Sequence, residues 1–210
     1  MRVKICGITC IEDALHVSQA GGDAIGLVFY AKSPRNVSIH QASQICAALP
    51  PFIASVGLFM DTSEGFVHSV LDAVPLDLLQ FHGSETPEYC ASFNRPYIKA
   101  VAMKNRNSTS FTEYANQYHD AKGFLVDSHD MGKAGGTGET FDWNDVPKDY
   151  PKPIILAGGL NPTNIAQAIQ QTDVYGMDLS SGVESAPGIK DQQMINQLMD
   201  EVRRAEYDKQ

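Results

Sequence analysis

A chain of 210 residues, 43% hydrophobic and 20% charged, can bury one large core, and its net charge of −9 argues against nucleic acid as a partner. No apolar run approaches the ~20 residues of a membrane span and no signal peptide opens the chain, so a soluble, cytoplasmic protein with no membrane partner is expected. The four cysteines, Cys6, Cys10, Cys46 and Cys90, lack disulfide or zinc spacing and read as free thiols in a reducing compartment, with no metal site.

Taken in order, Arg2 to Cys6 reads as a buried strand that ends on a thiol and turns through Gly7, after which Thr9-Cys10-Ile11-Glu12 has the pattern of a capping box. A helix to about Ala20 is stopped by Gly21-Gly22, and Ala24 to Phe29 is apolar enough for a strand covered on both faces. Ser38 to Gln41 caps a helix to about Leu49, Ile53 to Phe59 is a third strand, and Asp61 to Glu64 offers cap chemistry for a helix ending near Ala73. Leu78 to Phe81 is the fourth strand, and Thr86-Pro87 opens the next helix. Tyr97 to Met103, Gly123 to Val126 ending on Asp127, Pro153 to Leu156 and Val174 to Leu179 complete eight strands. Helices are expected from about Ser110 to Tyr118, after Asn161-Pro162, and from about Asp191 to Arg204.

Eight strands alternating with helices, two to three dozen residues apart, predict one α/β domain over residues 1–210, a closed eight-stranded parallel (β/α)8 barrel. An open doubly wound sheet is the alternative. In a closed barrel the carboxyl ends of the strands share one mouth, where Cys6 would sit. Ala157-Gly158-Gly159-Leu160 follows strand seven and Ser180-Ser181-Gly182-Val183-Glu184 follows strand eight, the positions where such barrels hold phosphate. Glycine lets the backbone approach, and a helix start at Ser180 would favour an anion. Either loop alone reads equally well as a tight turn or a cap.

Alternation places Asp127 on the same face as Leu125, so if Leu125 points to the axis, so does Asp127. Cys6 shares its face with Lys4, and a buried Lys4 would want an anion, for which Asp178 on the neighbouring eighth strand is the candidate.

The strings Lys4-Ile5-Cys6-Gly7-Ile8-Thr9, Ser33-Pro34-Arg35, Gln80-Phe81-His82-Gly83, Gly135-Gly136-Thr137-Gly138 with Phe141-Asp142-Trp143, Ala157 to Leu160, and Ser180 to Glu184 occur in order over nearly the whole chain. Together they resemble the phosphoribosylanthranilate isomerase family, small TIM barrels of tryptophan biosynthesis that need no cofactor. The resemblance implies an aldose-ketose isomerase performing an Amadori rearrangement. N-(5-phosphoribosyl)anthranilate opens its ribose ring and becomes 1-(2-carboxyphenylamino)-1-deoxyribulose 5-phosphate. It also implies an acid at Asp127, a base at Cys6, and a phosphate site of Gly158, Gly159, Ser180, Ser181 and Gly182.

One acid must protonate the ring oxygen, and one base must remove the C2 proton of the Schiff base. A free Cys near pKa ~8.5 and a free Asp near ~3.9 would sit in the opposite states at neutral pH. The site is therefore expected to favour the Cys6 thiolate through backbone N–H groups and to raise Asp127 by burial and nearby negative charge. Arg35 is expected to clamp the anthranilate carboxylate in a two-point contact. His82 reads equally as a ligand contact or a helix cap. The glycine-rich loop from Ser128 to Thr140, with Lys133, is expected to cover the substrate.

Phe81, Met177 and the run Ser128-His129-Asp130-Met131 depart from the family pattern. An indoleglycerol phosphate synthase or an aminoimidazole-carboxamide ribotide isomerase would share the phosphate loops without the cysteine base. A non-catalytic phosphosugar sensor would need neither Cys6 nor Asp127. A monomer or homodimer acting on a small phosphosugar is the expected assembly.

Overall fold

The structure, a computed structural model, describes residues 1–103, 108–128 and 142–209. Eight parallel strands close in chain order: β1 (Arg2–Cys6), β2 (Ala24–Val28), β3 (Ala54–Phe59), β4 (Leu78–Phe81), β5 (Tyr97–Ala102), β6 (Gly123–Asp127), β7 (Ile154–Leu156) and β8 (Gly176–Leu179). The ladder that returns β8 to β1, from Arg2 opposite Gly176 to Ile5 opposite Leu179, makes this a TIM barrel and removes the open sheet. Helices α1 (Ile11–Ala20), α2 (Ile39–Ala48), α3 (Glu64–Ala73), α4 (Pro87–Ser92), α5 (Ser108–Ala115), α6 (Ile165–Gln171) and α7 (Gln192–Lys209) lie between and after the strands. Among the described residues no helix is long and apolar enough to cross a membrane.

Period two along each strand sorts side chains into two cores. Ile98, Ala100, Leu125 and Ala157 form a cluster inside the barrel, so Leu125 does face the axis and Asp127, two residues on, faces it too. The larger core lies between strands and helices, where Val3, Ile5, Phe124 and Val126 meet Val17, Val67 and Leu198. Phe81 and Met177, the two departures within strands, belong to this outer core. Phe81 stacks among Phe59, Phe93 and Tyr97, so its extra volume is absorbed away from the barrel mouth. Helix α7 buries Ile195, Leu198, Met199, Val202 and Ala205, a stripe at helical spacing, and each large apolar side chain so buried contributes about 1.5–3 kcal/mol.

Several helix starts follow the sequence. Ser38 and Gln41 form the reciprocal capping box, and Thr86 accepts from the Tyr89 N–H with Pro87 in the first turn. Others differ. Thr9 does not cap α1, whose N-cap is Cys10 without a side-chain bond, because its hydroxyl donates to Gly188 O at 2.9 Å. Asp61 accepts from Ser84, leaving Ser63 as the N-cap of α3 without a cap bond. Asn161 organises a turn by accepting from Thr163 N–H at 2.8 Å, and α6 begins only at Ile165. Helix α5 ends at Ala115, short of Tyr118, whose hydroxyl donates to Glu85 O.

After β8 comes a single 3-10 turn, Ser181–Val183, the short extra helix expected there, and then an antiparallel pair, β9 (Glu184–Ala186) with β10 (Ile189–Lys190).

Candidate active site

The barrel mouth opens into a cavity of about 760 Å³, measured out to solvent, whose lining includes Cys6, Arg35, Gln80, His82, Asp127, Asp178 and both glycine loops. Every site residue expected from the sequence therefore meets in one place. Cys6 is the last residue of β1 and sits beside Gly26 of β2. A Cβ at Gly26 would come within 2.7 Å of the Cys6 sulfur, so the glycine makes the thiol's space. Asp127 ends β6, three strands from Cys6 around the ring. Its neighbour Gly158 has φ +88°, and a Cβ there would lie 2.8 Å from Asp127 Oδ1.

Lys4 lies one layer below Cys6 and donates to both oxygens of Asp178 at 2.9 Å, directly across the β1–β8 seam. Asp178 is thus held by the protein's own lysine while lining the cavity. His82 caps no helix. Its Nε2 lies 3.6 Å from Asp127 Oδ2, and its Nδ1 is 3.1 Å from the Gln80 amide nitrogen. Arg35 is buried against Gly7 and gives Nε and Nη2 to the two carboxylate oxygens of Glu184 at 2.8 and 2.7 Å. At the phosphate loops Gly158 and Gly159 both have positive φ, and Gly182 passes so close to the Leu160 carbonyl that a side chain would collide with it. Among the described residues the buried Ser180 Oγ has no hydrogen-bond partner. The loop expected to cover the substrate lies outside the described residues from 129 to 140, Lys133 and Gly135, Gly136 and Gly138 included, as does Phe141.

Comparison with known proteins agrees with this geometry. The family model described as N-(5'-phosphoribosyl)anthranilate isomerase matches residues 3–201. An N-(5'-phosphoribosyl)anthranilate isomerase of Pseudomonas fluorescens is 54% identical over 205 residues, covering 98% of this chain and 97% of that one. The chain belongs to the N-(5'-phosphoribosyl)anthranilate isomerase family. The crystal structure of the Thermotoga maritima phosphoribosylanthranilate isomerase superposes with a TM-score of 0.87 at 37% identity, over 97% of this chain and 99% of that one. A structure of the isomerase in complex with reduced 1-(o-carboxyphenylamino)-1-deoxyribulose 5-phosphate gives 0.81 at 35% identity, with the same coverage.

The charges around this isomerase-family mouth differ from expectation at the thiol. Burial raises the Cys6 pKa above its ordinary value, and the Asp178 carboxylate adds to the rise. The Lys4 and Lys190 ammonium groups pull it down without overcoming the burial. Burial also works against the Lys4 charge, but the Asp178 and Cys6 anions outweigh it and raise its pKa. Burial lowers His82 despite the opposing pull of Asp127, so the ring is neutral. The two ring nitrogens of His82 thus face the Gln80 amide on one side and Asp127 on the other.

Three members of the site carried no role in the sequence reading of the family motifs. Gln80 is fully buried, its Oε1 unpartnered among the described residues, and a polar residue on the inward phase of an apolar strand was its available signal. Glu184 closed a recognised motif without an assigned partner. Lys190 lies in the second strand of a hairpin that no periodicity announced.

Proposed function

We propose that this chain, acting as one catalytic domain over residues 1–210, isomerises N-(5'-phosphoribosyl)anthranilate by an Amadori rearrangement, with Cys6 as base and Asp127 as acid. The observation that carries this assignment is the convergence of a thiol and a carboxyl from β1 and β6 on one cavity that also holds the β7 and β8 glycine loops.

Gly158, Gly159, Ser180, Ser181 and Gly182 hold the sugar phosphate, with the unpartnered Ser180 hydroxyl as a donor ready for a phosphate oxygen. Arg35 takes the anthranilate carboxylate, and His82 and Asp178 border the sugar. With the substrate so anchored at both ends, Asp127 gives its proton to the ring oxygen and the ribose opens to a Schiff base. Cys6 then removes the C2 proton, and the enolamine tautomerises to the ketone. Thiol and carboxyl share one proton in the active state. Burial of Cys6 makes the productive arrangement, thiolate with carboxylic acid, the minor partner of that shared-proton state.

The test is turnover of N-(5'-phosphoribosyl)anthranilate by the purified protein and by Cys6→Ala and Asp127→Asn. Each substitution is expected to lower kcat by at least ~10²-fold, the scale of general acid or base removal, while binding of the reduced product analogue persists. Full activity in either variant would remove that residue from the mechanism.

A further inference from the structure

The cluster that holds Arg35 contains two cations and one anion. Arg35 spends its Nε/Nη2 edge on Glu184, leaving Nη1 outside that contact. Lys190 Nζ donates to the same Glu184 Oε1 at 2.6 Å and to Ser180 O at 3.1 Å. The side chains of Arg35, Glu184 and Lys190 are 10%, 3% and 0% exposed, so water screens them little. A further acid, Asp13, accepts the Lys190 backbone N–H at 3.4 Å. Lys4 and Asp178, the other ion pair at the mouth, cancel each other. A buried surplus of positive charge is costly by itself, and it favours an anion at the edge of Arg35 that Glu184 leaves open.

We propose that Lys190 is a specificity-determining positioning residue, which offsets the charge of Glu184 so that Arg35 keeps a full positive charge for the carboxylate on the substrate's aryl ring. Glu184 fixes the guanidinium plane through two bonds, and Lys190 prevents that fixation from neutralising it. Without Lys190 the Arg35–Glu184 pair is neutral and the aryl carboxylate meets no net charge. This rests on the reading of Arg35 as the carboxylate clamp. The Lys190 ammonium also acts on Cys6, and there it would affect the chemical step with any substrate.

The test compares two substrates, N-(5'-phosphoribosyl)anthranilate and N-(5'-phosphoribosyl)aniline, which lacks only the carboxylate. In Lys190→Met the preference in kcat/KM for the carboxylated substrate is expected to fall at least ~10-fold, the low end of coupling between close buried charges. The loss of preference should appear in KM, the pattern of lost uniform binding, over and above any fall common to both substrates that removal of the ammonium causes through Cys6. Lys190→Arg, which restores the charge, should keep the preference. Should Lys190→Met not fold, Lys190→Gln, which can still donate to Ser180 O, removes the same charge and is held to the same expectation. An unchanged preference, or an equal fall with both substrates, overturns the inference, the latter assigning Lys190 to Cys6 or to the loop. Absence of turnover in the unsubstituted protein would instead refute the proposed reaction.

Discussion

Cys6 is held between two opposing influences, burial that keeps the proton on sulfur and two ammonium groups that draw it off, and burial is the stronger. From sequence alone, backbone N–H groups are the expected source of the thiolate. The neighbours that act on it are Lys4, two residues before it, and Lys190, far along the chain. The sign of this shift fixes the pH profile. In the proposed mechanism the active state carries one proton between Cys6 and Asp127, so kcat/KM is expected to rise as the first proton of the pair leaves and to fall as the second does. Because burial raises Cys6, the second loss moves upward, and the alkaline limb is expected above the ~8.5 of a free thiol. Initial rates of the purified enzyme across pH check this, and a flat profile or an alkaline limb near neutrality would contradict it. Cys6 and Asp127 were legible because strand alternation fixes facing without tertiary knowledge. Glu184 was not, since its partner Arg35 lies 149 residues before it and only the closed fold brings them together, and Lys190, six residues after Glu184, has its role only through that pair.

At the scale of elements, the strands read themselves from apolar runs, whereas helix starts failed wherever a distant acceptor or donor outbid the local one. Thr9 bonding to Gly188 and Asp61 bonding to Ser84 are such cases, and both tie one mouth loop to another. The glycine loops, proposed above to hold phosphate, also leave space for the side chains around Asp127. Gly158 shows this most directly, because a Cβ there would run into Ser128 Oγ and lie 2.8 Å from Asp127 Oδ1, at a φ of +88° that L-residues resist. Gly158→Ala is therefore expected to cost about 1–2 kcal/mol of stability and, by displacing the acid, to lower kcat ~10²-fold. Gly65, in α3 with open space where a Cβ would go, is the control. Gly65→Ala should stabilise by roughly 0.5–1 kcal/mol with kcat unchanged. Urea unfolding and steady-state kinetics on both variants separate the two effects, and a stability loss in Gly158→Ala with kcat unchanged would show that Gly158 is only a turn.

For the whole molecule, the decisive contact is the one that turns a sheet into a barrel. β1 and β8 meet across 174 residues of chain, and at their seam Lys4 gives two 2.9 Å bonds to Asp178 with both side chains under a tenth exposed. Strand count and spacing made closure legible, and alternation made the ion pair a reasonable guess, because a lysine on the inward face of the first strand requires an anion on a neighbour. Such a pair specifies register more than it stabilises, since its attraction is largely offset by the desolvation of both ions. Removing one partner is different. Asp178→Leu leaves the Lys4 ammonium buried and uncompensated and is expected to cost about 3–5 kcal/mol, whereas Lys4→Met with Asp178→Leu should recover most of that loss. Equilibrium urea unfolding of the single and double variants checks this, and a double variant no more stable than Asp178→Leu would mean that the seam depends on the ion pair itself. Turnover by the double variant should stay low even where stability returns, because the Lys4 ammonium lowers Cys6 more than the Asp178 carboxylate raises it, and losing both leaves burial less opposed. Recovery of folding without recovery of rate would separate what closes the barrel from what the closed barrel does.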